Sequence, residues 1–336
     1  MNPASQLNIC VIGLGKMGVM HCAMSSALPQ TQLCAVVDRD AKLGKQLRSM
    51  GADAPYFNSV EAMLNSVKRV DAAILATPQF THRALGEQCL AAGLHVLTEK
   101  PLAHTLADAE AMAAAAAKHA DRITAIGFMK GHYPLWIEAA RRLKDGWIGE
   151  PESFKASVNL SQVFKPMKGW TFTKDQAGGG VLINTGIHLV HLLTMLFGPD
   201  AHVISAEGGP VHSAVEDRIT AIMQFPNGGP HGTYSANWSV EGFPTEATRV
   251  DIEGDAGRMS ITDDWLRHSD GTALHRSEFD RAAFNASPDY GGEGWYNQLE
   301  DFAQAIIQDG RTARYDWQYG LAVQRIVDAM YRKLEG

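Results

Sequence analysis

Lys100 stands in the tripeptide Glu99-Lys100-Pro101, at the end of the apolar run His95-Val96-Leu97-Thr98. An ammonium group there can orient a substrate hydroxyl or carbonyl and stabilise the charge that grows on its oxygen while a hydride moves. A solvated surface lysine is the plain alternative, but Pro101 fixes the backbone beside it. The second group of chemical interest is Gly178-Gly179-Gly180-Val181-Leu182-Ile183-Asn184-Thr185-Gly186-Ile187-His188-Leu189-Val190-His191. Asn184, His188 and His191 are spaced by four and three, so a regular helix presents all three on one face. A histidine near its ordinary pKa can take a proton from an alcohol or return it to a carbonyl. Hydrogen-bonded core histidines would show the same spacing. No cysteine or nearby carboxylate completes a ligand set around the pair, so no metal is expected. Trp170 and Phe172 could stack on a sugar ring or serve as packing, and Lys165, Lys168, His132 and Trp238 are weaker candidates.

Hydride chemistry needs a carrier, and the chain offers a cradle for one. The apolar run Asn8-Ile9-Cys10-Val11-Ile12 stops at Gly13-Leu14-Gly15-Lys16-Met17-Gly18, which has the G-x-G-x-x-G spacing. In that pattern the first glycine makes a tight turn, the second lets a pyrophosphate approach the backbone, and the third lets helix and strand pack closely. The phosphates sit against amides at a helix N-terminus, where donors and dipole favour negative charge. A second strand, 32–37, ends in Asp38, placed to accept hydrogen bonds from the adenine ribose; this argues for NAD. Arg39 beside it could hold a 2′-phosphate, so NADP is the alternative.

These residues need elements to position them. Helices are expected over 17–27, 41–49, 59–65, 81–92 and from Thr105, whose capping-box partner is Asp108, to His119. They alternate with strands at 32–37, 56–57, 71–77, 95–98 and 122–128, which implies a doubly wound parallel α/β sheet. Its ligand lies beyond the carboxyl ends of the strands, where Gly13, Asp38, Thr77-Pro78 and Glu99-Lys100-Pro101 all fall. Pro134 can open a helix to Lys144. From Glu152 onward, alternating stretches at 153–160, 218–225, 231–239, 248–253 and 258–261 suggest a largely antiparallel open sheet in an α+β domain. Helices follow over 181–197, 295–308 and 317–334. The expected division is a Rossmann domain at 1–128 and a substrate-binding and oligomerisation domain at 129–315. A C-terminal helix, 316–336, would pack back towards the first domain.

At 336 residues with 45 % hydrophobic and 20 % charged residues, the chain has the size and composition of a two-domain globular protein. Its formal charge of -7 has no basic cluster to follow a nucleic-acid backbone. No run of about eighteen apolar residues is present and Met1–Gln6 has no leader-like pattern, so a cytoplasmic location without a membrane partner is expected. Cys10, Cys22, Cys34 and Cys89 show no metal-site spacing and read as reduced core thiols.

Taken together, Gly13-x-Gly15-x-x-Gly18, Glu99-Lys100-Pro101 and the glycine-rich helix start ending in His188 resemble the glucose-fructose oxidoreductase, inositol dehydrogenase and rhizopine-catabolism (Gfo/Idh/MocA) family. Thr77-Pro78 followed by His82, and the segment Glu253-Gly254-Asp255-Ala256-Gly257, also fit its pattern, over nearly the whole chain. The resemblance implies an NAD(P)-dependent oxidoreductase acting on CH-OH groups of a sugar, cyclitol or related hydroxy compound, while the open face of the second sheet suggests a homo-oligomer, dimer or tetramer. Lys100 would match the family lysine and His188 the proton-transferring histidine, with Asn184 and Trp170 also at the substrate. Gly13, Gly15, Lys16, Met17, Gly18, Asp38, Arg39, Thr77, Pro78, His82, Glu99 and Lys100 would line the cofactor. The chain departs from the pattern at Asn184 and His191, where aspartates are usual, and in 127–132, which lacks the usual arginine. These departures keep two alternatives open: a non-catalytic dinucleotide-binding sensor, or a redox-neutral hydrolase or epimerase that retains NAD.

Overall fold

A computed structural model describes residues 6–49, 51, 53–165, 169–278 and 292–335. The chain divides into two compact units, Met1–Gly127 with Trp295–Leu321, and Phe128–Gly294 with Ala322–Gly336.

The first unit holds β1 (Leu7–Ile12), β2 (Thr31–Val37), β3 (Tyr56–Phe57), β4 (Ala72–Leu75), β5 (His95–Glu99) and β6 (Thr124–Gly127). They form one parallel sheet in the order β3-β2-β1-β4-β5-β6. All six residues of β1 are buried, as a central strand covered on both faces requires. The connecting helices are α1 (Lys16–Ala27), α2 (Ala41–Ser49), α3 (Val60–Ser66), α4 (His82–Ala91) and α5 (Leu106–Lys118). Local chemistry starts two of them: Ser59 Oγ accepts the Ala62 N–H, and Thr105 Oγ1 accepts the Asp108 N–H while donating to its carboxylate. Strand order reverses between β1 and β4, so the crevice for a ligand opens beyond their carboxyl ends.

The second unit carries α6 (Pro134–Lys144), β7 (Pro151–Asn159), the single turn α7 (Lys174–Ala177) and α8 (Ile187–Phe197). The strands β8 (His202–Gly209), β9 (Arg218–Gln224), β10 (His231–Asn237), β11 (Ala247–Gly254), β12 (Gly257–Thr262), β13 (Trp265–His268) and β14 (Ala273–His275) follow. With β7 they make an eight-stranded sheet, β14-β13-β12-β11-β7-β10-β9-β8. Every pair is antiparallel except β7 with β10. Asn227 (φ 57°) and Gly228 (φ 78°) make the left-handed turn of the β9–β10 hairpin. Alternation buries Phe154, Ala156 and Val158 of β7 and Ile219, Ala221 and Met223 of β9. Ile187 to Thr194 of α8 are all buried. The stretch 174–197 is long and apolar enough to cross a membrane by composition, yet 78 % of its apolar window lies inside the protein.

Two further helices are α9 (Gly292–Ile307) and α10 (Trp317–Leu334). Residues 295–315, expected in the second domain, instead group with the parallel sheet. The reason is local: the Ile126 N–H of β6 bonds Tyr315 O, and the Trp317 indole N–H bonds Ala125 O at 3.2 Å. Helix α10 is then shared, since its residues from Ala322 onward group with the second unit. The strands β8, β13 and β14 escape an alternation test because they are short or, like β8, half exposed and ending in two glycines.

Candidate active site

In the first unit, the turn between β1 and α1 is built for close approach. Gly13 has φ 93°, and a Cβ there would lie 2.7 Å from the Ala76 carbonyl. A Cβ on Gly18 would overlap Gly13 O, so this glycine lets helix and turn touch. Gly15 is different: it is exposed, with nothing within 4 Å of its would-be Cβ. It is the N-cap of α1, with no side-chain cap and no acidic residue in the first turn. An open glycine before uncapped helix amides fits a pyrophosphate, with Lys16 and Met17 on the first turn.

The neighbouring strand ends meet this turn. Asp38 Oδ2 accepts the Leu14 N–H at 2.7 Å and Oδ1 accepts the Asp40 N–H at 2.8 Å, so the carboxylate ties β2 to the glycine turn. Arg39 is exposed beside it. After β4, Thr81 Oγ1 donates to Thr77 Oγ1 at 2.7 Å, and Thr77 and Pro78 are half-buried. His82, expected at the cofactor, is only 1 % exposed. Its Nε2 faces Thr77 O (3.0 Å) and its Nδ1 faces Pro101 O (3.0 Å) and Leu102 O (3.2 Å). It therefore clamps the segments that follow β4 and β5 together. Burial lowers its pKa, against the pull of those carbonyls.

Lys100 is half-buried at the end of β5, and its peptide bond to Pro101 is cis. Glu99 is 7 % exposed: one carboxylate oxygen meets His21 Nε2 at 2.8 Å, and the other accepts the Lys100 N–H at 3.2 Å. Glu99 thus fixes the lysine's backbone instead of facing solvent. Sequence reading passed over His21, which sits on α1 three residues beyond Gly18; the signal was a histidine inside an otherwise apolar helix.

In the second unit, α8 is preceded without a break by a π-turn, Leu182–Gly186. Sequence spacing alone put Asn184, His188 and His191 on one stripe. Asn184 lies inside the π-turn and His188 just beyond it, so the wider turn changes the phase between them and a regular α-helical stripe does not describe them. Asn184 is half-buried, whereas His188 and His191 are 4 % and 0 % exposed. The histidines meet on Phe128: His191 stacks on its ring at 4.4 Å, and His188 lies edge-on at 6.4 Å. Burial, with His132 nearby, holds the His191 pKa well below its ordinary value, so this imidazole is neutral.

Trp170 lies half-buried in a short helical turn with Phe172, whose ring packs at 5.9 Å against Trp238. Trp238 is 1 % exposed and donates to Thr185 Oγ1 at 2.8 Å, which makes it a support of the π-turn. Lys165 is exposed and donates to Pro244 O; Lys168 lies outside the described residues. Lys130, in the segment without the usual arginine, is buried between Asp263 (2.6 Å) and Glu246 (2.7 Å). Burial alone would lower its pKa, but the two carboxylates outweigh that and raise it.

Residues 7–127 match the family model described as "Oxidoreductase family, NAD-binding Rossmann fold", and residues 136–260 match the "GFO/IDH/MocA C-terminal domain". The chain belongs to the Gfo/Idh/MocA family. Scyllo-inositol 2-dehydrogenase (NAD(+)) of Bacillus subtilis is 25 % identical over 327 residues, covering 91 % of this chain and 88 % of the relative. Trans-1,2-dihydrobenzene-1,2-diol dehydrogenase of Bos taurus is 28 % identical over 262 residues, with 75 % and 73 % covered. The solved structure of levoglucosan dehydrogenase in complex with NADH and levoglucosan superposes with a TM-score of 0.88 at 21 % identity, over 98 % of this chain and 97 % of that one. This Gfo/Idh/MocA chain carries an NAD-binding Rossmann unit. Its glycine turn and uncapped α1 fit the pyrophosphate of such a dinucleotide.

Proposed function

We propose that the protein catalyses reversible hydride transfer between NAD and a secondary alcohol or ketone of a sugar, cyclitol or related hydroxy compound. The observation that carries this reading is the end of β5. There the buried His21–Glu99 pair holds the backbone of Lys100 at the strand edge that also faces the open glycine turn. Bound NAD would supply the hydride acceptor. Lys100 orients the substrate oxygen and stabilises its developing charge. His188 moves the proton, Asn184 hydrogen-bonds a neighbouring hydroxyl without ionising, and Trp170 offers a ring face. Asp38 favours NAD, since a carboxylate repels a 2′-phosphate; Arg39 keeps NADP the second choice. The inositol, dihydrodiol and levoglucosan dehydrogenases among its relatives support the substrate class.

The test is a panel of inositols, levoglucosan and simple sugars read by nicotinamide absorbance, with NADH and NADPH affinities measured in parallel. Lys100→Met and His188→Ala should each lower kcat by about 10²–10⁴-fold while NADH affinity stays within about threefold. Near-normal turnover in both variants would remove the assignment. A binding-only role gains support from the non-ionising Asn184 and the neutral His191, and it predicts NADH binding with no turnover anywhere on the panel.

A further inference from the structure

Glu216 precedes β9, 36 positions from Gly180, yet its carboxylate sits at the start of the helix that carries His188. Its Oε1 accepts the N–H of Gly180 (2.7 Å), the N–H of Leu182 (3.2 Å) and the hydroxyl of Tyr331 on α10 (2.7 Å). Its Oε2 also accepts the Gly180 N–H, at 2.8 Å, and its backbone carbonyl takes the Val181 N–H at 2.8 Å. The glycine run is what lets these groups in. A Cβ on Gly179 would overlap the Tyr331 hydroxyl, and one on Gly180 would overlap Glu216 O.

Helix starts leave amides without intrahelical partners, and an anion is favoured there by the dipole. Here the helix opens without a cap from its own N-cap residue, and the donors go to a distant carboxylate instead. The capped amides immediately flank the π-turn. A π-turn is held only where surrounding contacts outweigh the ordinary α-helical register, and it occurs mostly as a single turn at functional sites. We infer that Glu216 is a positioning residue for the reaction: by capping the amides around the π-turn it sets the phase in which Asn184 and His188 are presented, while Tyr331 holds the cap from α10. Burial raises the Glu216 pKa, against hydrogen bonds from Tyr331 and the Gly180 and Leu182 amides. Glu216 in turn helps raise the pKa of Tyr234 on β10, after burial.

This inference rests on the role proposed for His188, and the experiment separates the two. Turnover is followed on the panel substrate with the highest rate, and amide hydrogen exchange is followed in the same proteins. Glu216→Leu should lower kcat at least tenfold with NADH affinity within about twofold. Glu216→Gln, which keeps an acceptor, should recover most of that loss, and Tyr331→Phe should cost about threefold. Combined with His188→Ala, Glu216→Leu should lower kcat by a smaller factor than it does alone, because part of its effect passes through that histidine. Independently of turnover, exchange at 180–191 should quicken at least tenfold in Glu216→Leu while β1 to β6 keep wild-type protection. Unchanged kcat together with unchanged exchange overturns the inference, as does a Glu216→Gln variant as impaired as Glu216→Leu. Should Glu216→Leu not fold, wild-type kcat in both Glu216→Gln and Tyr331→Phe overturns it. If His188→Ala keeps normal turnover while exchange at 180–191 responds as stated, the assignment of His188 fails and the cap stands.

Discussion

His188 and His191 touch the same ring, Phe128, and both are buried, the stacked one at 0 % exposure and the edge-on one at 4 %. The burial of His191 gives a pH prediction. Burial holds His191 well below its ordinary value of 6.5 in the folded protein. As pH falls, the unfolded chain takes up the proton first, so the stability that the neutral ring contributes is present above about 6.5 and lost below it. In His191→Phe, which keeps a ring against Phe128, this loss should vanish. Urea unfolding from pH 7.5 to 5 should show a wild-type slope steeper than the variant's by up to ~1.4 kcal/mol per pH unit. Identical slopes would mean that the ring is protonated in the folded state. At this scale the sequence singles out Lys100 and His188 as candidates through residue type and motif. It could not announce His21, because the partner that explains it, Glu99, is 78 positions away. Nor could it announce His82 as a clamp, since a ligand contact would equally need a polar ring near a strand end.

Among elements, the turn between β1 and α1 separates the two jobs of glycine. Gly15 has φ -65° and ψ -174°, a conformation alanine adopts, and open space around it. Gly15→Ala should therefore melt like the wild type, within about 0.5 kcal/mol, yet lose NADH affinity at least tenfold because the methyl group occupies the pyrophosphate's approach. Gly18→Ala should lose both affinity and about 1–3 kcal/mol of stability, because its Cβ meets Gly13 O. Thermal melting and NADH fluorescence together check the pair; equal melting of the two variants would contradict this division. Most of the parallel strands and their helices are readable because they are long enough to carry their own period, and some helices carry their own cap, as at Ser59 and Thr105. The π-turn was not: composition and spacing there are those of an α-helix, and the contacts that select the wider turn come from Glu216, Tyr331 and Trp238 elsewhere in the chain.

Considered as a molecule, the first unit is discontinuous, closed by residues that follow the entire first segment of the second. Trp317 is the closing piece: fully buried, bonded to Ala125 O, and seated where a Cβ on Gly86 would come within 2.8 Å of its ring. Trp317→Ala should cost about 3–5 kcal/mol of unfolding free energy, seen as a lowered urea midpoint. A loss below 1 kcal/mol would show that the parallel sheet stands without it. The sequence places the end of the first domain at 128 because the sixth strand of the alternating β-α series ends there. Nothing in the local pattern of 295–315 says which sheet it covers, since an amphipathic helix states only that it has a buried face.

That split bears on how the chain is made. Emerging from the ribosome, β1 to β6 are complete while the tryptophan that fills their last gap is still untranslated, with residues 128–316 to be made before it. At about 5–20 residues per second, this wait is on the order of ten seconds. For that interval the nascent Rossmann sheet exposes the Trp317 groove to whatever apolar segment is nearest, so chaperone dependence during synthesis should exceed what the stability of the finished protein would suggest.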